Sequence, residues 1–91
     1  MEWKLFADLA ERAGEKRIPV ADDAGTVGEA LDALLDEHPS LAERVLADDG
    51  DLRDHINVLR NGTNVLVEGD GLDEAVEAGD ELALFPPVSG G

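Results

Sequence analysis

Apolar and polar residues alternate near both ends of the chain, and a longer helical pattern lies between them. Trp3 and Leu5 alternate with polar neighbours, and Leu82 and Leu84 do the same near the other end, as in a half-buried strand. Residues 26–38 instead place their apolar residues three and four positions apart, as one face of a helix requires. The pattern therefore predicts strands near both ends and one long helix in the first half.

The predicted long helix has clear start and stop signals. Thr26 with Glu29 forms a capping box, and Pro39 ends the helix near His38. Its apolar face comprises Val27, Ala30, Leu31, Leu34 and Leu35. These signals predict a helix from Thr26 that packs one side against a sheet.

Two shorter helices are predicted from similar but weaker signals. Asp8 with Glu11 has the capping spacing, and Gly14 is suited to end that helix. Ser40 with Glu43 repeats the spacing for a second short helix. We expect both Asp8 and Ser40 to act as helix caps.

The remaining apolar runs predict further strands. Residues 16–20 form one, and Pro19 places it at an edge because proline cannot donate a ladder hydrogen bond. Residues 55–60 form another, which Asn61–Gly62 turns into a hairpin that returns through residues 65–67. The predicted hairpin is one of the strongest local signals in the chain.

The last third of the sequence completes the predicted sheet. Residues 71–78 read as a short helical or irregular turn, and Gly79–Asp80 leads into a strand over 81–85. The order strand, strand, long helix, strand, strand, strand is typical of an α+β fold with a mixed sheet and one helix across one face. By analogy this is a β-grasp, the ubiquitin fold. We expect one domain over 1–85, followed by an extended tail over 86–91.

Two phenylalanines fall on the unexpected side of the predicted sheet. Side chains alternate along a strand, so Phe6 points away from the core if Leu5 points into it, and Phe85 does the same beside Leu84. Leu59 is turned away from the core by the same rule. Exposed apolar clusters often mark interaction surfaces, although such side chains can also curl over a sheet edge. The alternation predicts a binding surface of Phe6, Leu59 and Phe85.

The sequence after Phe85 has an unusual composition. Pro86 and Pro87 favour an extended stalk, and Gly90 and Gly91 give a tip without side chains. Such a tip can enter a narrow enzyme tunnel and present the carboxylate of Gly91 for chemistry. The alternative is a frayed terminus or a remnant of cloning. We interpret the segment as a presented reactive tail.

Charge and composition exclude several classes of protein. The 91 residues include 22 acidic and 7 basic ones, a formal charge of −15, so nucleic acid is a poor partner. The acids are spread along the chain, which suits a salt-rich cytoplasm better than one acidic docking face. No apolar run reaches the ~20 residues that cross a bilayer. We expect a soluble, cytoplasmic, halophilic protein that is monomeric and has no membrane contact.

Candidate catalytic and metal-binding groups are few. The chain has no cysteine, which excludes disulfides and thiolate chemistry. The run 48–51 lacks the spacing of a calcium loop, and neither His38 nor His55 has an evident ligand or triad companion. We expect no metal site, no bound cofactor and no enzymatic activity in this chain.

The residues resemble a known superfamily. The ending 79–91 is similar to that of the small subunit of molybdopterin synthase, and the opening 4–7, the helix 26–35 and the hairpin 60–62 match the same family. With its acidity and only two lysines, the chain most resembles the small archaeal modifier proteins, ubiquitin-like relatives of that subunit. The resemblance covers the whole chain.

The resemblance implies a function carried by Gly91. An E1-like enzyme would use ATP and magnesium to adenylate the Gly91 carboxylate, which is then joined to a target lysine or converted to a thiocarboxylate that donates sulfur. The family's glycine pair falls on Gly90 and Gly91, and its aromatic contacts fall on Phe85 and Phe6. A further apolar contact of the family falls near Asn64, which is a departure and weakens the case for a synthase large subunit as the main partner.

The sequence leaves three functions open. The chain is a protein modifier, the sulfur-carrying small subunit of a molybdopterin synthase, or an adaptor that binds through Phe6 and Phe85 while its tail is irrelevant. The first two can coexist in one protein. For a modifier, the partners are the E1-like enzyme, target lysines and a deconjugating (desampylating) isopeptidase; the synthase large subunit is a further possible partner.

Overall fold

Five strands form one mixed sheet in a computed structural model that describes residues 1–20, 22–53 and 56–86. The strand order is β2-β1-β5-β3-β4. In chain order the strands are β1 (Glu2–Leu5), β2 (Arg17–Pro19), β3 (Asn57–Arg60), β4 (Thr63–Asn64) and β5 (Glu81–Phe85). Strands β1 and β5 run parallel at the centre, and the other pairs are antiparallel. The predicted α+β class and β-grasp arrangement are confirmed.

Within the described residues, four α-helices accompany the sheet. They are α1 (Asp8–Ala13), α2 (Val27–Glu37), α3 (Ala42–Val45) and α4 (Val65–Glu68), with 3-10 turns at Pro39–Leu41 and Gly71–Asp73. None of the helices in the described part of the chain is long and apolar enough to cross a membrane.

The core lies between α2 and one face of the sheet. It contains the inward residues of the strands and the apolar side of α2, among them Trp3, Leu5, Ile18, Val27, Leu31, Leu34, Val58, Leu82 and Leu84. The buried Trp3 indole Nε1 donates to the Ala30 carbonyl of α2 at 3.0 Å. This bond satisfies the one polar atom of the largest core side chain and ties the central strand to the helix.

The predicted limits of α2 are confirmed. The Thr26 hydroxyl accepts from the Glu29 backbone N–H at 3.2 Å, and the helix ends at Glu37 with His38 as its C-cap. The Glu29 carboxylate accepts from Gly25 N–H at 3.3 Å, one residue before the partner that a standard capping box uses.

The two weaker cap predictions are wrong. Helix α1 has Ala7 at its cap position without a side-chain bond, and the Asp8 carboxylate instead lies 2.6 Å from Arg44 Nη2. Ser40 lies inside the 3-10 turn, and α3 begins after it without a side-chain cap. In both places the spacing was present, but the turn geometry did not aim the side chain at the helix N–H groups.

The prediction of a returning strand over 65–67 is also wrong. The hairpin forms as predicted, with positive φ at Asn61 and Gly62, but β4 is only two residues long. The Asn64 side chain accepts from Leu66 N–H at 3.0 Å and caps α4, which continues directly from β4. Val65 is buried while Val67 is 78% exposed, so the apolar run reflects a helical turn.

The other strand predictions hold with small changes in length. Strand β2 is limited to three residues and is an edge strand, as Pro19 requires. Strand β3 begins at Asn57; His55 lies outside the described residues. Strand β5 spans the predicted residues 81–85. The region 71–78 forms a 3-10 turn and a bridge between Ala75 and Thr26.

Candidate functional site on the open face of the sheet

The sheet has one face that α2 does not cover, which we call the open face. Strand register places its side chains next to one another: Lys4 and Leu59 flank Ala83, and Asn57 lies beside Phe85. Phe6 follows β1 and joins the same face, so the open face consists of Lys4, Phe6, Asn57, Leu59, Ala83 and Phe85. The sequence prediction that Phe6, Leu59 and Phe85 lie outside the core is confirmed.

The two phenylalanines form a stacked pair. The ring centroids of Phe6 and Phe85 are 4.1 Å apart, and the ring planes meet at 11°. Both side chains are half-buried, because each ring covers part of the other. The stack joins the ends of the two central strands and places an aromatic surface where β5 leads into the tail.

Lys4 is a member of the open face that sequence reasoning missed. Its Nζ lies 5.9 Å from the centre of the Phe6 ring and 3.8 Å from a Glu81 carboxylate oxygen. An ammonium over an aromatic face is attracted by the negative face of the ring. The same alternation that exposes Phe6 also exposes Lys4, so the signal was available in the sequence.

The edge of the open face beside β4 is polar. Asn64 Nδ2 donates to Asn57 Oδ1 at 3.1 Å, while Asn64 Oδ1 is the cap of α4. The family resemblance implied an apolar contact close to this position. This chain has two interlinked amides there, so the apolar part of the open face ends at Leu59.

An unusual turn positions Phe6. Ala7 has φ 54° and ψ −133°, a backbone region that non-glycine residues avoid. Leu9 N–H donates to the Phe6 carbonyl at 3.2 Å, which closes the turn into α1. The reversal of direction at Ala7 lets α1 begin immediately after Phe6 while the Phe6 ring stays against Phe85.

A partly buried ion pair anchors the hairpin to the start of β5. Asp80 Oδ2 accepts from Arg60 Nε at 2.7 Å and from Glu77 N–H at 2.8 Å, and Asp80 Oδ1 accepts from Asn61 Nδ2 at 3.0 Å. The bond from Glu77 N–H, followed by that from Arg60, lowers the pKa of Asp80 to about 2. The bond to Asp80 also raises the pKa of Arg60. These contacts fix β3 relative to β5.

The strand that carries Phe85 leads directly into the tail. Pro86 is half-buried immediately after β5, while Pro87, Gly90 and Gly91 lie outside the described residues. The predicted extended tail and the role of Gly91 therefore stay predictions. Among the described residues, no group of three or more His, Asp or Glu side chains is arranged to hold a metal ion.

Nearly the whole chain is similar to known proteins. The ThiS family model matches residues 3–91. The chain is 64% identical to small archaeal modifier protein 1 of Haloferax volcanii over 100% of both sequences. A crystal structure of that protein matches this chain with a TM-score of 0.85, and the match covers 100% of this chain and 98% of the other.

Two further solved structures are similar over nearly the full chain. Small archaeal modifier protein 1 from Methanosarcina acetivorans is 33% identical, with a TM-score of 0.88 and coverage of 99% of this chain and 94% of that one. A chain of the Amycolatopsis orientalis BexX/CysO complex is 31% identical, with a TM-score of 0.81 and coverage of 99% and 98%. The chain is therefore a β-grasp protein of the ThiS family and belongs, within it, to the small archaeal modifier proteins.

Proposed function

We propose that this protein is a ubiquitin-like modifier whose Gly91 carboxylate is adenylated by an E1-like enzyme and joined to lysines of target proteins. The observation that carries the proposal is the family match, which runs through Gly91 and includes the Phe85-Pro86-Pro87 and Gly90-Gly91 segments. The relatives named as modifiers support the same conclusion. The chain supplies the reacting carboxyl group, and the partner enzyme supplies the catalysis.

The chemistry needs an activated carboxyl group. A carboxylate is a poor acyl donor until adenylation gives it a good leaving group. ATP and magnesium belong to the activating enzyme in this proposal, and this chain supplies the Gly91 carboxyl group. Two glycines at the tip allow close approach of the enzyme to the terminal carbonyl carbon because they carry no Cβ.

The open face is the surface by which the enzyme holds the modifier in this proposal. The stack of Phe6 on Phe85 offers an aromatic surface of the kind that dominates binding energy at interfaces. Because the tail begins at Pro86, directly after Phe85 at the end of β5, an enzyme that binds the stack also positions the tail. Pro86, Pro87 and Leu59 complete the proposed contact.

A second use of the same carboxyl group is favoured by the family. ThiS-family membership and the similarity to a chain of the BexX/CysO complex support sulfur carriage, in which the adenylate becomes a thiocarboxylate. A molybdopterin synthase large subunit is then a further partner, for molybdenum cofactor biosynthesis. The polar pair Asn57–Asn64 replaces an expected apolar contact and makes this partner secondary.

Further features of the proposal concern the cellular setting. We place the modifier, as a monomer, in a salt-rich cytoplasm because its 22 acidic residues are distributed along the chain and repel one another at low salt. Conjugation also requires release, so an isopeptidase that removes the modifier from lysines belongs to the system. The dependence of the unfolding midpoint on KCl concentration tests the placement in a salt-rich cytoplasm.

The function is tested by reconstitution with the host's E1-like enzyme, ATP and magnesium. Deletion of Gly90 and Gly91 should abolish adenylation, whereas a pure adaptor would keep its binding activity. An isopeptide bond from Gly91 to target lysines in native extracts would support conjugation, and replacement of a terminal oxygen by sulfur would support carriage. Absence of both species in extracts would refute the proposal.

The role of the open face is tested separately. Phe85→Ala should lower kcat/KM for adenylation by about tenfold or more, the cost of one central aromatic contact. The matched control is Val67→Ala, which removes an exposed apolar side chain outside the open face. Equal adenylation by both variants, with the fold intact by circular dichroism, would remove the stack from the enzyme contact.

A further inference from the structure

The chain has few amines that could themselves be modified. Lys4 and Lys16 are its two lysines, and the Met1 amine is a third primary amine in the structure. The remaining basic residues are arginines, which stay protonated and cannot act as acyl acceptors. If a second copy of this protein is attached to the chain by an amide bond, one of these three nitrogen atoms must be the nucleophile.

Two of the three amines are already engaged. The Met1 amine forms an ion pair with the Asp22 carboxylate. The Lys4 side chain is only 28% exposed and its ammonium lies near Glu81 and over the Phe6 ring. A modifier attached to Lys4 would also cover the open face. Both positions are therefore poor acceptors.

Lys16 differs in accessibility. The residue is exposed, as are its neighbours Gly14, Glu15 and Arg17, and no carboxylate within residues 1–20, 22–53 and 56–86 forms an ion pair with it. Its backbone is nevertheless fixed, because the Lys16 carbonyl accepts from Leu5 N–H at 2.8 Å. The Lys16 side chain is therefore open to solvent, while its backbone is held in place by a hydrogen bond.

The position of Lys16 leaves the open face free. Lys4 pairs with Arg17 in the antiparallel register, so the next pair is Leu5 with Lys16. Lys16 lies in the bend just before β2, and the bond from Leu5 N–H to its carbonyl continues the register by one pair. Since Leu5 points into the core, continued alternation would place the Lys16 side chain on the helix side of the sheet, at its β2 edge. A second copy attached there would lie on the helix side and would not cover Phe6 or Phe85.

We propose that Lys16 is the acceptor for the Gly91 carboxyl group of a second copy of this chain, giving Lys16-linked polymers. The inference rests on the proposed function, which supplies the Gly91 adenylate. The neutral Lys16 amine attacks the adenylate carbonyl carbon, the C–N bond forms, the C–O bond to AMP breaks, and one proton leaves the nitrogen for solvent. Each linked copy keeps its open face, and the acceptor copy at the end of the polymer keeps a free Gly91 carboxyl group that can be activated in turn.

Charge makes this reaction sensitive to salt. Each copy has a formal charge of −15, so two copies repel at low ionic strength. At about 1 M salt the screening length falls to roughly 3 Å, and repulsion outside direct contact is removed. The linkage should therefore form faster at high salt than at low salt, even when adenylation of the single chain is unchanged.

The test separates donor from acceptor. The donor is the full chain with Lys4→Arg and Lys16→Arg; the acceptors lack Gly90 and Gly91 and carry either no other change, Lys4→Arg or Lys16→Arg. Each pair is incubated with the E1-like enzyme, ATP and magnesium at high salt, and donor adenylation is followed independently by ATP–pyrophosphate exchange. Thermal unfolding verifies that the arginine variants keep the fold.

The expected result is a linked dimer with the unchanged and Lys4→Arg acceptors, its loss with Lys16→Arg, and a modified Lys16 by peptide mapping. If the donor is adenylated but no dimer forms, or if Lys16→Arg still accepts, the inference is overturned and the proposed function stands. If the donor is not adenylated, both fail. A donor chain that becomes lighter by one water, with no dimer formed, would show attack by its own Met1 amine and overturn linkage to a second copy.

Discussion

The buried carboxylate of Asp80 offers a direct test of how the hairpin is held against β5. The side chain is 10% exposed and receives three hydrogen bonds, from Glu77 N–H, Arg60 Nε and Asn61 Nδ2. Asp80→Asn keeps the size of the side chain but replaces one acceptor oxygen by an NH₂ group. That group would face donors only, so at least one of these bonds is lost and the Arg60 charge loses its partner.

The magnitude follows from the pKa of Asp80, which falls from its ordinary 3.8 to about 2. At about 1.36 kcal/mol per pKa unit, the ionised carboxylate stabilises the fold by about 2.4 kcal/mol, and we expect about 2 kcal/mol after modest solvent screening. Because the folded-state pKa is depressed, this contribution is complete well above pH 3.8. It falls to roughly half near pH 3 and disappears as the pH drops through about 2.

Chemical denaturation at constant salt, followed by circular dichroism, measures this contribution at several pH values. Asp80→Asn should lower the free energy of unfolding by about 2 kcal/mol near pH 7, and the difference from the unchanged protein should shrink toward pH 3. Asp32→Asn is the matched control, since it removes one negative charge at an exposed position of α2. A deficit that stays constant with pH, or that equals the control, would refute the ion-pair account.

Two other predictions concern the backbone strain and the charge. Ala7→Gly should raise the free energy of unfolding by about 1 kcal/mol because glycine adopts φ 54° without a Cβ penalty. A lower unfolding temperature for Ala7→Gly, the usual effect of Ala→Gly in a loop, would contradict a strained turn at Ala7. Raising KCl should increase the unfolding midpoint of the unchanged protein strongly, since 22 acidic residues repel one another until screened. A midpoint independent of KCl would contradict the halophilic assignment.

Much of the fold could be predicted because its signals are local and mutually consistent. The helix from Thr26 has a cap, an apolar face and a proline stop, and all three refer to the same element. Pro19 identified an edge strand by its missing donor, and Asn61–Gly62 identified a hairpin by its tolerance of positive φ. In each case one residue type has a backbone requirement that few other structures meet.

The errors arose where two elements could use the same residues. Asp8 has the spacing of a cap, but Arg44 draws its carboxylate away, and that contact is distant in sequence. The apolar run 65–67 predicts a returning strand, yet the Asn64 side chain caps α4 and β4 ends after two residues. Such outcomes depend on tertiary partners or on a competition between side-chain and ladder hydrogen bonds, which the apolar pattern does not contain.

The candidate site was predictable in part for the same reason. Alternation along β1 and β5 placed Phe6 and Phe85 on the open face, but their stacking required the parallel register of two strands that are far apart in sequence. Lys4 was missed because it was considered as a scarce charge and not as a member of that face. The Asp80 anchor was missed because the sequence shows Asp80 only as a residue that leads into β5, and its partner Arg60 is distant along the chain.

The stack also determines how substitutions on the open face must be interpreted. Each of Phe6 and Phe85 is half-buried largely because the other ring, 4.1 Å away, covers it. Removing Phe85 therefore uncovers Phe6, so the variant loses one aromatic contact and gains exposed apolar area on another. The lost contact and the newly exposed area have opposite effects on nonspecific association. The positioning of the tail can only become worse, because the tail loses the side chain nearest to it. A specific loss of adenylation without loss of stability is thus the signature of a docking role, whereas a loss of both would indicate that the stack only holds β1 against β5.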